Sequence, residues 1–298
     1  MKQVTQHNKT GELRVEQVPI PALKPGYVLV KTRFSLISAG TERASINQRK
    51  ASLLQRAKSQ PELVRMVLDQ VKQYGLISTY RRVQTKLEAT APIGYSVAGT
   101  VIATGGKDSP IKPGDRVACA GAGYANHAEY VVVPTHLCAK IPKGVGLDDA
   151  AYTTLGSIAL QGIRQVDPTL GEVIVVIGLG LLGQLTIQML KANGCFVIGI
   201  DVDDATVKLA RQCGADVAVR RDTGDAKNVV RAATKGSGAD AVIITAATAS
   251  NDPVALAGEL CREKGRVVLV GDVGLELPRP PYFLKELDFR LSRSLGPG

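Results

Sequence analysis

Short apolar runs alternate with amphipathic stretches throughout the second half of the chain. Six of these runs are predicted to be strands: Val173–Ile177, Phe196–Ile200, Val217–Val219, Ala241–Thr245, Arg266–Val270 and Phe289–Ser292. Most are rich in Val and Ile and are bounded by turn residues, which is typical of strands buried on both faces. The stretches between them place apolar residues at helical spacing. This rhythm predicts an α/β domain with an open, doubly wound parallel sheet and helices on both faces.

The first half instead alternates apolar and polar positions with a period of two, which is typical of strands. The pattern runs through residues 12–37 and returns over residues 96–105, 116–121 and 128–134. Between these runs, residues 43–90 change to helical spacing. Pro61 lies in the first turn of a predicted helix that Gly75 ends, and Ser78 is expected to begin a second helix. The first half is therefore predicted to be a small β-barrel interrupted by a helical insertion.

The length and composition agree with two globular domains. The chain has 298 residues, of which 45% are hydrophobic and 21% charged, and domains average roughly 150 residues. These values exclude a disordered tail, a fibrous repeat and a disulfide-stapled miniprotein. The change of pattern divides the chain into residues 1–150 and 151–298.

The formal net charge of +10 is concentrated in the helical insertion. Between Arg43 and Lys86, ten basic residues are opposed only by Glu62 and Asp69. Aromatic residues make up 4% of the chain and Trp is absent, which argues against a platform on which nucleic-acid bases stack. We interpret the segment as a solvated helical face or a docking face for an acidic protein partner or substrate, and we expect no nucleic-acid binding.

The cysteines and the N-terminus indicate the compartment. The five cysteines are scattered without a CxxC pair, so neither a disulfide framework nor a structural zinc site is predicted. The N-terminus lacks the apolar core of a signal peptide. The most apolar window, Val173 to Leu190, is interrupted by glycines and is interpreted as a strand, a turn and a helix. We therefore expect a cytoplasmic protein that does not enter the membrane.

A glycine-rich turn after the strand Val173–Ile177 is the strongest local signal for function. Gly178, Gly180 and Gly183 form a GxGxxG pattern that follows a predicted strand and opens a predicted helix. In that setting the first glycine permits the tight turn, the second lets the backbone approach a pyrophosphate, and the third lets the helix pack on the strand. The amides at Leu181 and Leu182 would face the phosphates. The alternative is a packing turn without a ligand.

Asp201 ends the next strand, where a carboxylate accepts hydrogen bonds from the adenosine ribose hydroxyls and repels a 2′-phosphate. No Arg immediately follows it, so NAD(H) is favoured over NADP(H). Thr245 and Ala246 end the fourth predicted strand, and Val270 and Gly271 end the fifth. Carboxyl ends of parallel strands line the ligand crevice of such sheets, so we expect these four residues to lie near the nicotinamide.

These motifs together resemble the medium-chain dehydrogenase/reductase superfamily, in which a GroES-like barrel precedes a Rossmann domain. The resemblance extends over essentially the whole chain and is carried by Gly40-Thr41-Glu42, Gly94-Tyr95-Ser96-Val97-Ala98-Gly99, Gly114-Asp115-Arg116-Val117, Ala128-Glu129-Tyr130, the glycine turn and residues 265–271. Residues 38–54, 155–164 and 293–298 are similar to the N-terminal module of bi-domain oxidoreductases. That module resembles a zinc-type alcohol dehydrogenase and precedes a glucose–fructose-oxidoreductase-like domain. The resemblance thus implies a fused or adjacent oxidoreductase domain as a further partner.

The zinc ligands of this family are not matched. Zinc members carry Cys where this chain has Ala39, and Gly-His-Glu where it has Gly94-Tyr95-Ser96. The third ligand falls in the stretch that begins at Thr153, and the four-cysteine lobe after Gly-Asp-Arg-Val is absent. Catalytic zinc needs about three N, S or O ligands, so no zinc is expected.

Four residues are candidates for chemistry without a metal. Thr41 matches the hydroxyl that relays the alcohol proton in the family, and Glu42 matches an acidic position behind the site. Tyr95 takes the place of a zinc ligand and carries a phenol that can donate to a carbonyl oxygen. His127 precedes Ala128-Glu129-Tyr130. The alternatives are that Tyr95 fills the space that zinc leaves, that Thr41 and Glu42 cap a turn, and that His127 lies in a surface loop.

The sequence therefore predicts an enzyme, a zinc-independent NAD-dependent dehydrogenase of the medium-chain type. It would transfer hydride to or from a carbonyl or alcohol, and the resemblance implies a sugar or sugar nucleotide as the small-molecule substrate. The alternatives are a quinone- or enoyl-reductase-like enzyme and a non-catalytic nucleotide-binding module. Medium-chain relatives return from the Rossmann sheet to complete the barrel, so the end at Gly298 predicts a truncated form. A homo-oligomer remains an open alternative to a monomer.

Overall fold

A computed structural model describes residues 1–40, 42, 46, 49 and 61–296. The chain forms two compact units, Met1–Thr154 and Leu155–Gly298. The expected boundary after residue 150 falls at the end of a short helix, α3 (Leu147–Ala150).

The second unit contains one parallel sheet within residues 155–296. Its six strands are β9 (Val173–Ile177), β10 (Phe196–Asp201), β11 (Val217–Arg220), β12 (Ala239–Ile244), β13 (Cys261–Leu269) and β14 (Asp288–Leu291). Their spatial order is β11-β10-β9-β12-β13-β14, and every pairing is parallel. The order reverses between β9 and β12, which is where doubly wound sheets bind their ligands. The predicted α/β class and parallel sheet are confirmed.

Helices cover this sheet because their apolar faces bury the Val and Ile side chains of the strands. They are α4 (Thr153–Val166), α5 (Leu181–Ala192), α6 (Asp204–Gln212), α7 (Ala226–Ala233), α8 (Asp252–Leu260) and α9 (Arg279–Leu284). One apolar core includes Ile198, Val230 and Leu256, and a second includes Ile163, Ile187 and Ile243. The short helix α9 was not foreseen from the pattern.

The described residues of the first unit form two antiparallel sheets. The strands are β1 (Lys2–His7), β2 (Leu13–Gln17), β3 (Tyr27–Ser35), β4 (Thr90–Pro92), β5 (Ser96–Thr104), β6 (Arg116–Ala120), β7 (Tyr130–Pro134) and β8 (Cys138–Lys140). A five-stranded sheet has the order β7-β3-β5-β6-β8, and a three-stranded sheet has the order β2-β1-β4. Val28, Val30 and Val117 lie in the apolar core of the five-stranded sheet. The short helix α3 (Leu147–Ala150) packs near β5 and β6.

The insertion contains two helices, α1 (Pro61–Tyr74) and α2 (Leu76–Glu88). Gly75 separates them with a φ of 79°, a conformation that glycine adopts without steric cost. The predicted stop at Gly75 is thus correct, whereas the expected start of the second helix at Ser78 is wrong. The helix begins at Leu76 because the Gly75 carbonyl already accepts the amide of Thr79. Within the described parts of the chain, no helix combines the length and apolar character that a membrane crossing requires.

Candidate functional site

The glycine turn between β9 and α5 gives each glycine a different environment. Gly178 has a φ of 96°, and a Cβ there would lie 2.6 Å from the Ala246 Cα. A Cβ on Gly183 would collide with the Gly178 carbonyl oxygen. Gly180 has a φ of −66°, and a Cβ there would meet no atom within 4 Å. The first and third glycines are therefore required by the protein itself, whereas the second leaves open space in front of the turn.

The N-terminus of α5 faces this open space with backbone donors. Gly180 is its N-cap and supplies no side-chain hydrogen bond. The amides of Leu181, Leu182 and Gly183 lie in the first turn, where a helix has no acceptors of its own. These first-turn amides and the positive end of the helix dipole favour an anion such as phosphate.

Asp201, the last residue of β10, is hydrogen-bonded to the glycine turn. Its Oδ2 accepts the amide of Leu179 at 2.5 Å, and its Oδ1 accepts the amides of Val202 at 2.6 Å and Asp203 at 3.1 Å. The carboxylate is half-buried. It is therefore held in one orientation at the strand end, with lone pairs left for further donors.

Two arginines lie at the end of the neighbouring strand β11. Arg220 is its last residue, and Arg221 comes directly after it. Arg220 binds Asp222 through Nε at 2.8 Å and Nη2 at 2.5 Å, and binds Asp204 through Nη1 at 3.0 Å. Arg221 binds both carboxylate oxygens of Asp252, at 2.8 and 3.1 Å. Bidentate arginine–carboxylate pairs have directional hydrogen bonds. Both guanidinium groups are thus engaged by carboxylates.

The ends of β12 and β13 support the glycine turn from the side. The Thr245 hydroxyl donates to the Gly178 carbonyl at 2.5 Å, and Ala246 packs against Gly178. The Gly271 amide donates to Ile244, and a Cβ on Gly271 would collide with the Ala246 carbonyl. Hydrogen bonds and close packing therefore connect this edge of the sheet to the turn.

Val270 is also at this edge, where its side chain packs toward Gly162 of α4. The strands β12 and β13 end at Ile244 and Leu269, so the predicted strand ends at Thr245 and Val270 are each one residue too late. The pattern does not indicate that the Thr245 hydroxyl is hydrogen-bonded within the protein, to the Gly178 carbonyl.

These residues fit a dinucleotide. The open space at Gly180 is a cradle that a side chain would fill, and it faces helix amides suited to a pyrophosphate. Asp201 lies on the adjacent strand, where a ribose is bound in such folds. The residues that would hold the cofactor are Gly180, Leu181, Leu182 and Asp201.

The first unit contains a separate cluster around His127. The His127 Nδ1 lies 2.9 Å from the Ser35 hydroxyl, and its Nε2 lies 3.1 Å from the Glu42 Oε1. The same carboxylate oxygen accepts the Ser38 amide at 3.1 Å. His127 is 8% exposed and Glu42 is 15% exposed. The imidazole is therefore held at both nitrogens by polar partners in a largely buried position.

The interpretation of His127 as a surface-loop residue is wrong. Its backbone amide donates to Ile93 at 2.8 Å, and its carbonyl accepts the amide of Val4 at 2.8 Å. Gly94 lies against the imidazole, because a Cβ at Gly94 would come within 2.9 Å of the ring. His127 does lie in a loop, but hydrogen bonds to two other segments bury it where the local sequence would leave it on the surface.

Of the two other catalytic candidates, the structure describes Tyr95 but not Thr41. Tyr95 is half-buried just before β5, and its carbonyl accepts the amide of Gly121 at 3.0 Å. Thr41 lies outside the described residues. Ser35 was missed by sequence reasoning, because a serine at the end of a strand carries no motif.

The donor set at the family's metal position does not fit catalytic zinc. Ala39 has no donor atom, and the Ser96 hydroxyl is buried and donates to the Ala151 carbonyl at 2.6 Å. Thr154 is buried, and both ring nitrogens of His127 are engaged. Zinc prefers thiolate, imidazole and carboxylate ligands. Among the described residues, no three His, Cys, Asp or Glu side chains are arranged to hold a metal ion.

Two family profiles match the chain. The alcohol dehydrogenase GroES-like domain matches residues 63–143, and the zinc-binding dehydrogenase family matches residues 182–297. The matches follow the order of the two units.

Individual relatives agree with these profiles. An NAD-dependent alcohol dehydrogenase of Sulfurisphaera tokodaii is 26% identical over 93% of this chain and 80% of its own length. A D-guloside 3-dehydrogenase of Escherichia coli is 31% identical over 56% of this chain. That alignment spans 47% of the relative, so the match covers about half of its length.

Solved structures show the same fold. Galactitol-1-phosphate dehydrogenase from Escherichia coli superposes with a TM-score of 0.75 over 99% of this chain and 83% of its own, at 21% identity. The family profiles and the relative that aligns with most of the chain agree with each other. They support a protein similar to the zinc-type alcohol dehydrogenase-like members of the medium-chain dehydrogenase/reductase superfamily, and the chain is an enzyme of the dehydrogenase class.

Proposed function

We propose that this protein is a zinc-independent, NAD(H)-dependent oxidoreductase that interconverts an alcohol and a carbonyl compound. The open space at Gly180, bordered by the helix amides and by Asp201, is the observation that carries the proposal. A bound nicotinamide dinucleotide would supply hydride transfer. The second unit would bind it, and the first unit would handle the proton that accompanies each hydride.

The preference for NAD(H) rests on charge. Asp201 would accept hydrogen bonds from ribose hydroxyls, whereas a 2′-phosphate would meet its negative charge. Arg220 and Arg221 are the nearby cations, and carboxylates already engage both. A 2′-phosphate would therefore compete with these carboxylates for the guanidinium groups. Relatives named as NAD-dependent alcohol dehydrogenases support the same choice.

Proton handling is assigned to His127, Glu42 and Ser35. An ionised Glu42 carboxylate only accepts, so the neutral imidazole donates from Nε2 and accepts the Ser35 hydroxyl proton at Nδ1. When the imidazole becomes protonated, both nitrogens donate and Ser35 becomes the acceptor. The cluster can thus hold a proton on His127 while Glu42 stabilises the positive charge. Thr41 and Tyr95 complete the proposed catalytic set.

Zinc independence rests on the donor set. Polarising a carbonyl without a Lewis acid requires a hydrogen-bond donor at the oxygen. Tyr95 occupies the position of a family zinc ligand and carries such a donor. The substrate class is proposed to be a polyol or sugar derivative, because a D-guloside 3-dehydrogenase is among the relatives.

The remaining sequence-based predictions concern the setting of the enzyme. They are a cytoplasmic location, a homo-oligomeric state as an open alternative, and an acidic partner or a fused or adjacent oxidoreductase domain at the basic insertion. The module of bi-domain oxidoreductases that residues 38–54 resemble is the basis for that last prediction.

The first test is direct binding and metal analysis. Purified protein should quench or shift NADH fluorescence at lower concentrations than NADPH, and it should turn over a sugar alcohol without stoichiometric zinc. Tighter binding of NADPH would reject the cofactor assignment. Loss of turnover after chelation, with recovery on adding zinc, would reject zinc independence.

The second test separates the catalytic cluster from cofactor binding. His127→Gln should lower kcat roughly 100-fold or more, because general acid–base catalysis contributes about 10²–10⁴-fold, while the NADH Kd stays unchanged. His136→Gln is the matched control, since His136 is exposed on a short 3₁₀ helix. Equal kcat values in the two variants would remove His127 from the mechanism and leave the cofactor assignment intact.

A further inference from the structure

Two cysteines of the first unit face each other across neighbouring strands. Cys119 in β6 is the register partner of Cys138 in β8. Their sulfur atoms lie 3.5 Å apart. Both are free thiols in this structure. The two residues are 19 positions apart in sequence, so no local motif connects them.

The position of the pair in the antiparallel ladder suits a covalent bond. The Ile141 amide donates to the Arg116 carbonyl at 2.9 Å, so these two residues form a hydrogen-bonded pair. Such pairs alternate with non-hydrogen-bonded pairs along an antiparallel ladder. Cys119 and Cys138, three positions away, are therefore a non-hydrogen-bonded pair. Their Cα atoms are then about 4.5 Å apart, within the range of about 4.4–6.8 Å that disulfides span.

The two thiols differ in access to solvent. Cys119 is 2% exposed and packs in the core of the first unit. Cys138 is half-buried at the edge of that core, and its thiol is positioned to donate to the Pro134 carbonyl at 3.5 Å. The hydrogen bond with the Cys138 sulfur, together with burial, raises the pKa of the Cys119 thiol. An oxidant in solution would therefore reach Cys138 first.

We propose that Cys119 and Cys138 form an oxidisable dithiol that a peroxide converts to a disulfide in the folded protein. Hydrogen peroxide oxidises the Cys138 thiol to a sulfenic acid and is itself reduced to water. The Cys119 thiol then attacks that sulfur, the S–S bond forms, and the sulfenic oxygen leaves as a second water molecule. The sulfurs need to approach by about 1.5 Å to reach bonding distance. A dithiol reductant reverses the reaction by exchange.

The proposed bond would close the segment that carries His127. Residues 120–137 lie between the two cysteines, and the cluster of His127, Glu42 and Ser35 depends on that segment. The bond would thus tie the segment to the β6–β8 ladder. This proposal does not depend on the enzymatic function, because it concerns only the thiol pair.

The test is peptide mapping of the folded full chain after mild hydrogen peroxide treatment and blocking of free thiols. We expect a cross-linked Cys119–Cys138 peptide, with the denatured thiol count reduced by two from the five cysteines, and full reversal by dithiothreitol. Cys138→Ser should abolish the cross-link. Cys213→Ser is the matched control, because Cys213 is also half-buried, and it should leave the cross-link unchanged.

Two outcomes would overturn the proposal. One is the absence of the cross-link at peroxide doses that already oxidise Cys213. The other is a cross-link that forms only after unfolding in urea. Because Cys138 is at the core edge and serine is close in size, Cys138→Ser should fold, which a matching thermal melt of the reduced variant checks.

Discussion

Adding a methyl group at either of two glycines of the turn, in separate variants, should separate the effect on cofactor binding from the effect on stability. In Gly180→Ala the new Cβ projects into open space, and the φ of −66° is ordinary for alanine. The folded protein therefore loses nothing. Replacing Gly by Ala at a compatible conformation stabilises by about 0.4–1 kcal/mol, because the unfolded chain has fewer conformations. We expect an unchanged or slightly higher Tm.

The same methyl group should weaken NADH binding, because it occupies the space through which a pyrophosphate reaches the α5 amides. Losing one charge-assisted hydrogen bond costs about 1.5–3 kcal/mol, which corresponds to a roughly 10- to 100-fold higher Kd. Fluorescence titration with NADH measures this change. Gly106→Ala is the control, since a Cβ at Gly106 also meets no atom within 4 Å.

Gly183→Ala should instead lower the stability of the folded protein. Its Cβ would collide with the Gly178 carbonyl, which is backbone, and would lie 3.1 Å from the Thr245 hydroxyl oxygen. Overpacking costs about 1–3 kcal/mol, which lowers Tm by roughly 2–10 °C for a unit of this size. An NADH Kd that is unchanged in Gly180→Ala would refute the assignment of this space to the pyrophosphate. A Gly183→Ala variant as stable as the wild type would refute the packing argument.

Three further outcomes follow from individual side chains. Asp201→Ser should raise the Kd for NADH and reduce the preference over NADPH, measured by parallel titrations; an undiminished preference would show that another group selects the cofactor. Burial raises the pKa of Cys261 to about 12, so iodoacetamide at mildly alkaline pH should label the half-buried Cys213 long before Cys261, and comparable labelling rates would contradict this. The Lys140 side chain and the Lys112 amide lower the pKa of Asp115 below its ordinary 3.8. The Asp115 carboxylate therefore binds a proton less readily in the folded state than in the unfolded state. Its ionised form stabilises the folded protein above pH 3.8, and this stabilisation is lost as the pH falls through the folded-state pKa. The difference in unfolding free energy between wild type and Asp115→Asn should accordingly shrink in acid, and a constant difference would argue against the pKa shift.

The parallel sheet and its glycine turn were predictable because their signals are local. A strand buried on both faces must be almost continuously apolar, and β9 shows this over Val173–Ile177. The roles of Gly178 and Gly183 follow from backbone conformation and close packing, which permit no side chain. Such requirements act on single positions and therefore appear in the sequence.

The cluster around His127 could be predicted only in part. Glu42 and His127 were candidates by resemblance, but they are 85 positions apart, and Ser35 lies on a third segment. Their hydrogen bonds exist because β3 ends beside the loop that precedes β7. The spacing of residues along a chain does not reveal such contacts between distant segments.

The sequence by itself thus determined the α/β class, the order of the domains and the glycine turn after β9, since each depends on periodicity or on a glycine that the backbone requires. Only the tertiary structure decided that His127 is buried between Ser35 and Glu42, and that Cys119 faces Cys138. These contacts join residues far apart in sequence, and the pairing of strands and loops brings them together.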